Sequence, residues 1–171
     1  LLQRDRNRYR WELLANSNLT LQHLDTNEVL KTVRLGIECG RLPEDTGTDI
    51  PAILGKFGLL KDGVLNNAAA VLFGKHEDME YPQCLLRLAR FKGTDKTVFM
   101  DSQRIQGNFF QLLNAAMAFI FKHLSLSGTT DTLEREEHLT IPYKAIREGV
   151  LNSLTHRSYK EAGGSVGIAI Y

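Results

Sequence analysis

The sequence has few of the residues that build metal sites, disulfide frameworks or membrane spans. Its only cysteines are Cys39 and Cys84, and no C-x-x-C spacing occurs, so neither a zinc site nor a disulfide framework is indicated. We expect both thiols to be buried as small apolar side chains in a reducing cytoplasm. No apolar run approaches the roughly 20 residues that a membrane-spanning helix requires, so we expect no membrane partner.

Net charge is also nearly absent, since the formal value at pH 7 is only +1. Such a balance predicts no strong global attraction to nucleic acid or to a membrane surface. What is present is an ordinary globular composition, with 43% hydrophobic and 24% charged residues in a chain of 171. This length is sufficient for one good core or two small ones.

The two ends of the sequence predict an internal fragment of a longer protein. The chain opens on Leu1 without an initiator Met. It closes on Tyr171, inside an apolar alternation of Val166, Ile168 and Ile170 that is typical of a strand. We therefore expect any site that needs a later loop to be absent from this chain.

Capping and turn residues divide the first half into short elements. Asp25 precedes an apolar helical period that Gly40 ends, and Asp49 precedes a second, shorter helix. Asp62-Gly63 permits positive φ and predicts the turn of a hairpin.

The second half contains predicted strands and two long helices. The continuous apolar run 68–73 is short enough for a buried strand, and residues 85–91 alternate as a further strand. Helical periodicity extends over residues 107–124 and 142–156. The polar stretch 125–138 between them is predicted to be a loop.

These elements predict an α/β (α+β) fold, in which an N-terminal helical pair precedes a mixed sheet covered by the two long helices. We expect residues 1–24 to be a linker or edge strand, residues 25–62 a small helical segment, and residues 63–171 the α/β domain. Two helices, a turn and a strand also describe a winged helix, which reads DNA. Lys56 is the only base in the second helix, which favours packing onto the sheet instead.

Four arginines near the start recur at a spacing of two, namely Arg4, Arg6, Arg8 and Arg10. In an extended segment their guanidinium groups would share one side and could contact phosphates. The alternative is a solvated linker or edge strand, which we favour.

Glu148, Asn152 and His156 recur at intervals of four, so their side chains project from one face of a helix. A carboxylate can take a proton from water, and an amide oxygen can ligate a hard cation such as Mg²⁺. The alternative is an amphipathic helix whose polar face meets solvent. The opposite face is an apolar stripe formed by Ile146, Val150, Leu151 and Leu154.

Residues 141–159 resemble the signature P-x-x-A-[IL]-R-E-x-[LV]-x-N-x-[LVI]-x-H-R-[DS]-Y of a bacterial family of transcriptional regulators, also described as ATP-dependent DNA helicase (RecG)-related proteins. Three earlier blocks are similar to that family in the same order, at residues 65–75, 87–95 and 105–108. The resemblance is specific from about residue 59 onward. No helicase motif is visible.

The resemblance implies a Schlafen/AlbA-type DNA-binding domain upstream and a C-terminal ATPase-like domain of the gyrase/Hsp90/histidine-kinase/MutL (GHKL) type. Helix 142–156 would then be the N box, in which Glu148 polarises the attacking water and Asn152 holds Mg²⁺ against the phosphates. His156 and Arg157 match a His-Arg pair that would orient the loop or approach a phosphate. Ser158 departs from the family, where Asp is common.

The implied cofactors are ATP and Mg²⁺ in the parent protein, and the implied partners are DNA and a homodimer mate. The adenine-binding block and the Gly-rich lid of that fold follow the strand at which this chain stops. We therefore expect the fragment itself to bind ATP weakly or not at all and to show no turnover. Two alternatives stay open: a non-enzymatic interaction or dimerisation module, and nucleic-acid binding by the arginine row.

Overall fold

The computed structural model of the chain describes residues 10–75, 81–124, 126–129, 136–139 and 141–171. These residues form an α+β fold, as the sequence predicts. Its α-helices are α1 (Thr26–Glu38), α2 (Ile50–Lys56), α3 (Asn67–Phe73), α4 (Phe109–His123) and α5 (Tyr143–Thr155). Its strands are β1 (Leu60–Lys61), β2 (Val64–Leu65), β3 (Leu85–Phe91), β4 (Phe99–Gln106), β5 (Leu126–Thr129), β6 (Glu136–Leu139) and β7 (Val166–Ile170).

Side-chain caps begin the first two helices, which confirms the predicted N-terminal pair. The Asp25 carboxylate accepts hydrogen bonds from two backbone N–H groups in the first turn of α1. The Asp49 carboxylate accepts from the Ala52 N–H of α2. Asp62 and Gly63 have φ of 51° and 78°, and they join β1 to β2 as the predicted hairpin.

The predicted strand over residues 68–73 is wrong, because this run is helix α3. Asn66 caps the helix by accepting from the Ala69 N–H at 3.1 Å. The run itself is rich in alanine, which has the highest helix propensity. Its apolar side chains are buried because α3 lies between other helices, so a continuous apolar run does not distinguish the two structures.

Strands β3, β4 and β7 form the mixed sheet, in the order β4-β3-β7. β4 runs antiparallel to β3, and β7 runs parallel to it. Helices α4 and α5 pack on one face of this sheet through one hydrophobic cluster, which confirms the predicted mixed sheet covered by two helices. Val150 and Leu154 of α5 lie in that cluster with Leu86 and Leu88 of β3.

The predicted loop over residues 125–138 is wrong where the structure describes it. β5 and β6 pair antiparallel there, with Leu126 opposite Leu139 and Thr129 opposite Glu136. Residues 125 and 130–135 lie outside the described residues.

The buried side chains form two hydrophobic clusters. The first lies between one face of the sheet and helices α4 and α5, and the second joins α1, α2 and α3. Phe73 of α3 stacks on Phe110 of α4 with ring centroids 5.6 Å apart inside the second cluster, so α4 contributes side chains to both clusters. The predicted boundary between residues 62 and 63 stays a prediction.

The two cysteines differ in their surroundings. Cys84 is buried as predicted, but Cys39 is exposed just after α1, so its predicted burial is wrong. The helix ends before Cys39, which therefore has no packed face to enter. Among the described helices, none combines the length and the apolar character needed to cross a membrane.

Candidate functional site

Helix α5 presents its polar face outward because its apolar face is held by the core. Leu154 is fully buried and Val150 nearly so, and both pack in the cluster around the sheet. Pro142 stands at the N-cap position, where its missing N–H costs no helical hydrogen bond. The residues at the opposite positions of the helix therefore lie in solvent.

Glu148 and Asn152 lie together on that outer face, and both are exposed. The Asn152 Nδ2 donates to Glu148 Oε1 at 3.2 Å. This hydrogen bond uses the nitrogen of the amide and turns Oδ1 away from the carboxylate. Within the described chain, Asn152 Oδ1 has no hydrogen-bond partner, so it is free to face a cation.

His156 ends the helix on the same face. It is exposed at the C-cap, and its backbone N–H donates to the Asn152 carbonyl oxygen at 2.9 Å. The three side chains that share a spacing of four therefore also share one surface. Their predicted roles stay predictions.

Arg157 is placed differently, because its side chain is half-buried. Its guanidinium carbon lies 4.7 Å from the centroid of the Tyr159 ring, a cation–π contact. Its Nη1 is buried and has no hydrogen-bond partner among the described residues. Gly164 passes close by, since a Cβ there would lie 2.9 Å from Nη2.

Tyr159 anchors the segment that follows α5. Its hydroxyl donates to the Leu154 carbonyl oxygen at 2.8 Å, and its own carbonyl oxygen accepts from Gln83 Nε2 at 2.9 Å. Burial raises the pKa of Tyr159 to about 12, and the nearby Arg157 charge partly opposes that rise. The phenol is thus a neutral hydrogen-bond donor that fixes the turn carrying Arg157.

A cleft of about 610 Å³ adjoins the end of α5. His156 and Arg157 line it together with Arg10 and Trp11, and the faces of α3 and α4 form its apolar wall. Glu148 and Asn152 are not part of its lining. The structure therefore brings together Glu148 and Asn152 on the helix, and places Arg157 in the adjoining cleft.

Trp11 is the cleft residue that sequence reasoning missed. Tyr81 contacts it edge-on, with ring centroids 5.3 Å apart. The available signal was its identity, because it is the single Trp of the chain and follows the arginine row directly.

The arginine row is described only at its last member. Arg4, Arg6 and Arg8 lie outside the described residues. Arg10 Nε is 2.6 Å from Glu12 Oε1, and the Arg10 side chain is exposed while that of Glu12 is half-buried. The predicted phosphate-facing edge stays a prediction.

A cluster of three or more His, Cys, Asp or Glu side chains suited to a metal ion does not occur in the described parts of the chain. The Mg²⁺ expected from the sequence would be held through the Asn152 oxygen. Mg²⁺ commonly keeps several waters and binds few protein groups when phosphates complete its shell. The single free amide oxygen fits that mode of binding.

Comparison with known proteins gives a fold and no activity. No family model matches the sequence, and no curated protein is significantly similar to it. Among solved structures, the fold is similar to the DIP2311 protein from Corynebacterium diphtheriae, with a TM-score of 0.69 and 14% sequence identity. The similarity covers 94% of this chain but 30% of that one, so the chain spans less than a third of its length.

Proposed function

We propose that this chain contributes the N-box helix of a transcriptional regulator whose parent protein binds ATP with Mg²⁺ and couples that binding to DNA binding. One observation carries the proposal: Glu148 and Asn152 are exposed side by side on a helix whose other face is buried. A rigid helix fixes the orientation of the Glu148 carboxylate and the Asn152 amide, and a functional site requires such fixed orientations. The upstream DNA-binding domain and the homodimer belong to the same proposal.

In this role Asn152 would hold Mg²⁺ through Oδ1, while its Nδ2 stays on Glu148. Bound Mg²⁺ supplies charge neutralisation for the nucleotide phosphates. The Glu148 carboxylate accepts the Asn152 hydrogen bond at one oxygen and keeps the other for a water molecule, from which it can accept a proton.

The basic residues beyond the helix would complete the phosphate site. His156 is exposed on the same face and can donate a hydrogen bond to a phosphate oxygen. Arg157 carries a buried guanidinium nitrogen that finds no partner among the residues the structure describes, and such a group is costly to leave unpaired. A phosphate entering the cleft would satisfy it, as would a water molecule.

A titration of the full-length protein with a fluorescent ATP analogue and Mg²⁺ tests the proposal. We expect Asn152→Ala to weaken binding about tenfold or more, the usual scale for disturbing a metal site. Asn114→Ala is the matched control, because Asn114 is an exposed helical asparagine of α4 on another surface. Equal affinity of the wild type and Asn152→Ala would contradict the metal role.

A second candidate function, an interaction or dimerisation module without catalysis, is favoured by an exposed apolar patch. Phe121 and Tyr143 stack with ring centroids 5.4 Å apart, and they are 38% and 48% exposed. Ile141, two residues before Tyr143 in the chain, is 47% exposed. The same titration separates the two functions, because a module of this kind would not distinguish Asn152→Ala from the wild type.

A further inference from the structure

The face of the sheet away from α4 and α5 is open and basic. Side chains alternate along a strand, so the residues between the buried leucines of β3 point to the other side. Arg87 and Ala89 occupy those positions. The structure pairs Arg87 with Arg104 of β4, and Ala89 with Ser102 of β4 and Ala169 of β7.

Arg87 and Arg104 lie directly opposite each other across neighbouring strands, and both are exposed. Like charges in this arrangement repel. Within the described residues, neither guanidinium group forms an ion pair with a carboxylate. Two adjacent arginines without an acidic neighbour are typical of a surface that meets an anionic partner.

Aromatic rings close the other end of the same face. Phe91 is buried beneath Phe99 and Tyr171, whose ring centroids lie 4.7 Å and 5.5 Å from it. Phe99 is 60% exposed and Tyr171 is 46% exposed. The small side chains of the middle row leave a shallow cavity of about 550 Å³ between the arginines and the rings, with Lys96 at its margin.

We infer that this open face binds single-stranded nucleic acid. Proteins of that kind combine a basic groove, which follows the phosphates, with exposed aromatic rings on which bases stack. Arg87 and Phe91 are four residues apart on one strand, a distance of roughly 13 Å. The arginines and the rings are therefore separate points of contact for the phosphates and the bases.

The exposed aromatic rings favour a nucleic acid over an acidic peptide. The arginines alone would suit either polyanion, but the exposed Phe99 and Tyr171 rings add the π-surface that a base uses. The cavity lining contains two arginines and one lysine and no carboxylate residue.

The inference does not rest on the proposed function, because the two sites lie on opposite sides of the sheet. Helix α5 packs on the face of Leu86 and Leu88, whereas Arg87 and Ala89 point the other way. Asn152→Ala should therefore leave this binding unchanged.

Fluorescence anisotropy of a labelled oligo(dT) of about 15 nucleotides, titrated with the chain at several salt concentrations, tests the inference. For the wild type we expect log Kd to vary linearly with log salt concentration. Arg87→Gln and Arg104→Gln should each weaken binding several-fold and reduce the magnitude of that slope by about 0.7. The matched control is Arg34→Gln, since Arg34 is an exposed arginine of α1 far from the sheet.

A substitution of Phe99 tests the contribution of the aromatic rings on the open face of the sheet. Phe99→Ala should weaken binding by at least about fivefold without changing the salt slope, because stacking does not release counterions. Met100→Ala is the control, since Met100 is 64% exposed on the same strand but does not line the cavity. Circular dichroism of each variant verifies that the sheet is intact.

Three results would overturn the inference. The first is a wild-type chain that does not bind oligo(dT) at low salt. The second is a set of sheet variants that bind as well as Arg34→Gln does. The third is competition by poly-glutamate that is as strong as competition by the oligonucleotide and is unchanged in Phe99→Ala. That result would assign the face to an acidic protein segment.

Discussion

The two thiols provide a test of side-chain burial at single residues. Burial raises the pKa of Cys84 to about 12, so its thiolate is scarce at neutral pH, whereas Cys39 is exposed. We expect a disulfide reagent at pH 8 to modify one thiol rapidly in the native chain and two in denaturant. Cys39→Ser should remove the rapid phase. Rapid modification of Cys84 in that variant would contradict the described packing.

A carboxylate of β4 that contacts the end of α4 links stability to pH. Hydrogen bonds from Lys122 and then His123 lower the pKa of Asp101 from 3.8 to about 2. A lowered folded-state pKa stabilises the protein above the unfolded value, and this stabilisation is lost as pH falls through the folded value. The relevant window is therefore from about pH 4 down to about pH 2.

In that window, the free energy of unfolding should fall more steeply for the wild type than for Asp101→Asn. Urea unfolding at several pH values measures both slopes. Asp45→Asn is the control, because Asp45 is exposed and forms no ion pair within the described chain. Parallel curves for the wild type and Asp101→Asn would show that the contacts to Lys122 and His123 contribute nothing.

Spacing predicted part of the site at the level of residues. The interval of four placed Glu148, Asn152 and His156 on one exposed surface because the flanking Val150 and Leu154 are buried. It did not predict the inward position of Arg157, which depends on Tyr159 and on the close approach of Gly164. Those contacts join residues beyond the helix, where no periodicity applies.

Among the helices, two glycines should respond oppositely to the same substitution. A Cβ at Gly36 of α1 would lie 2.7 Å from Leu42 Cδ1, whereas a Cβ at Gly149 of α5 would meet nothing within 4 Å. We expect Gly36→Ala to lower the free energy of unfolding by about 1–3 kcal/mol through overpacking. Gly149→Ala should raise it by about 0.5–1 kcal/mol, because alanine favours the helix.

Denaturant unfolding of the wild type and both variants measures these changes directly. Each variant serves as the control for the other, since both replace a helical glycine by alanine. A loss of stability in Gly149→Ala would mean that α5 is packed or bent in a way that the described structure does not contain.

Capping and turn residues allowed the sequence to predict the elements that begin or end at them. Asp25, Asp49 and Asn108 each cap a helix that was expected, and Asp62-Gly63 turns the expected hairpin. Helix α3 was mistaken for a strand because a short buried apolar run fits both structures. The cap at Asn66 was the overlooked indication.

At the scale of the whole molecule, the arrangement of elements depends on contacts between distant residues. β7 pairs with β3, which is far from it in the sequence, and so Val166 lies opposite Leu86. The buried Asn108 donates to the Gly74 carbonyl oxygen at 3.0 Å and so joins the start of α4 to the end of α3. Sequence pattern predicted the α+β class, but it contained no information on these pairings.

The central claim is that Asn152 couples Mg²⁺ to a nucleotide, and the affinity of the full-length protein for an ATP analogue, with and without Mg²⁺, tests it most directly. The ratio of the affinities for the ATP analogue with and without Mg²⁺ measures the coupling between the metal and the nucleotide, because such coupling is reciprocal. We predict that Mg²⁺ tightens binding about tenfold or more in the wild type and in Asn114→Ala, and has little effect in Asn152→Ala. An equal Mg²⁺ effect in all three proteins would contradict the claim.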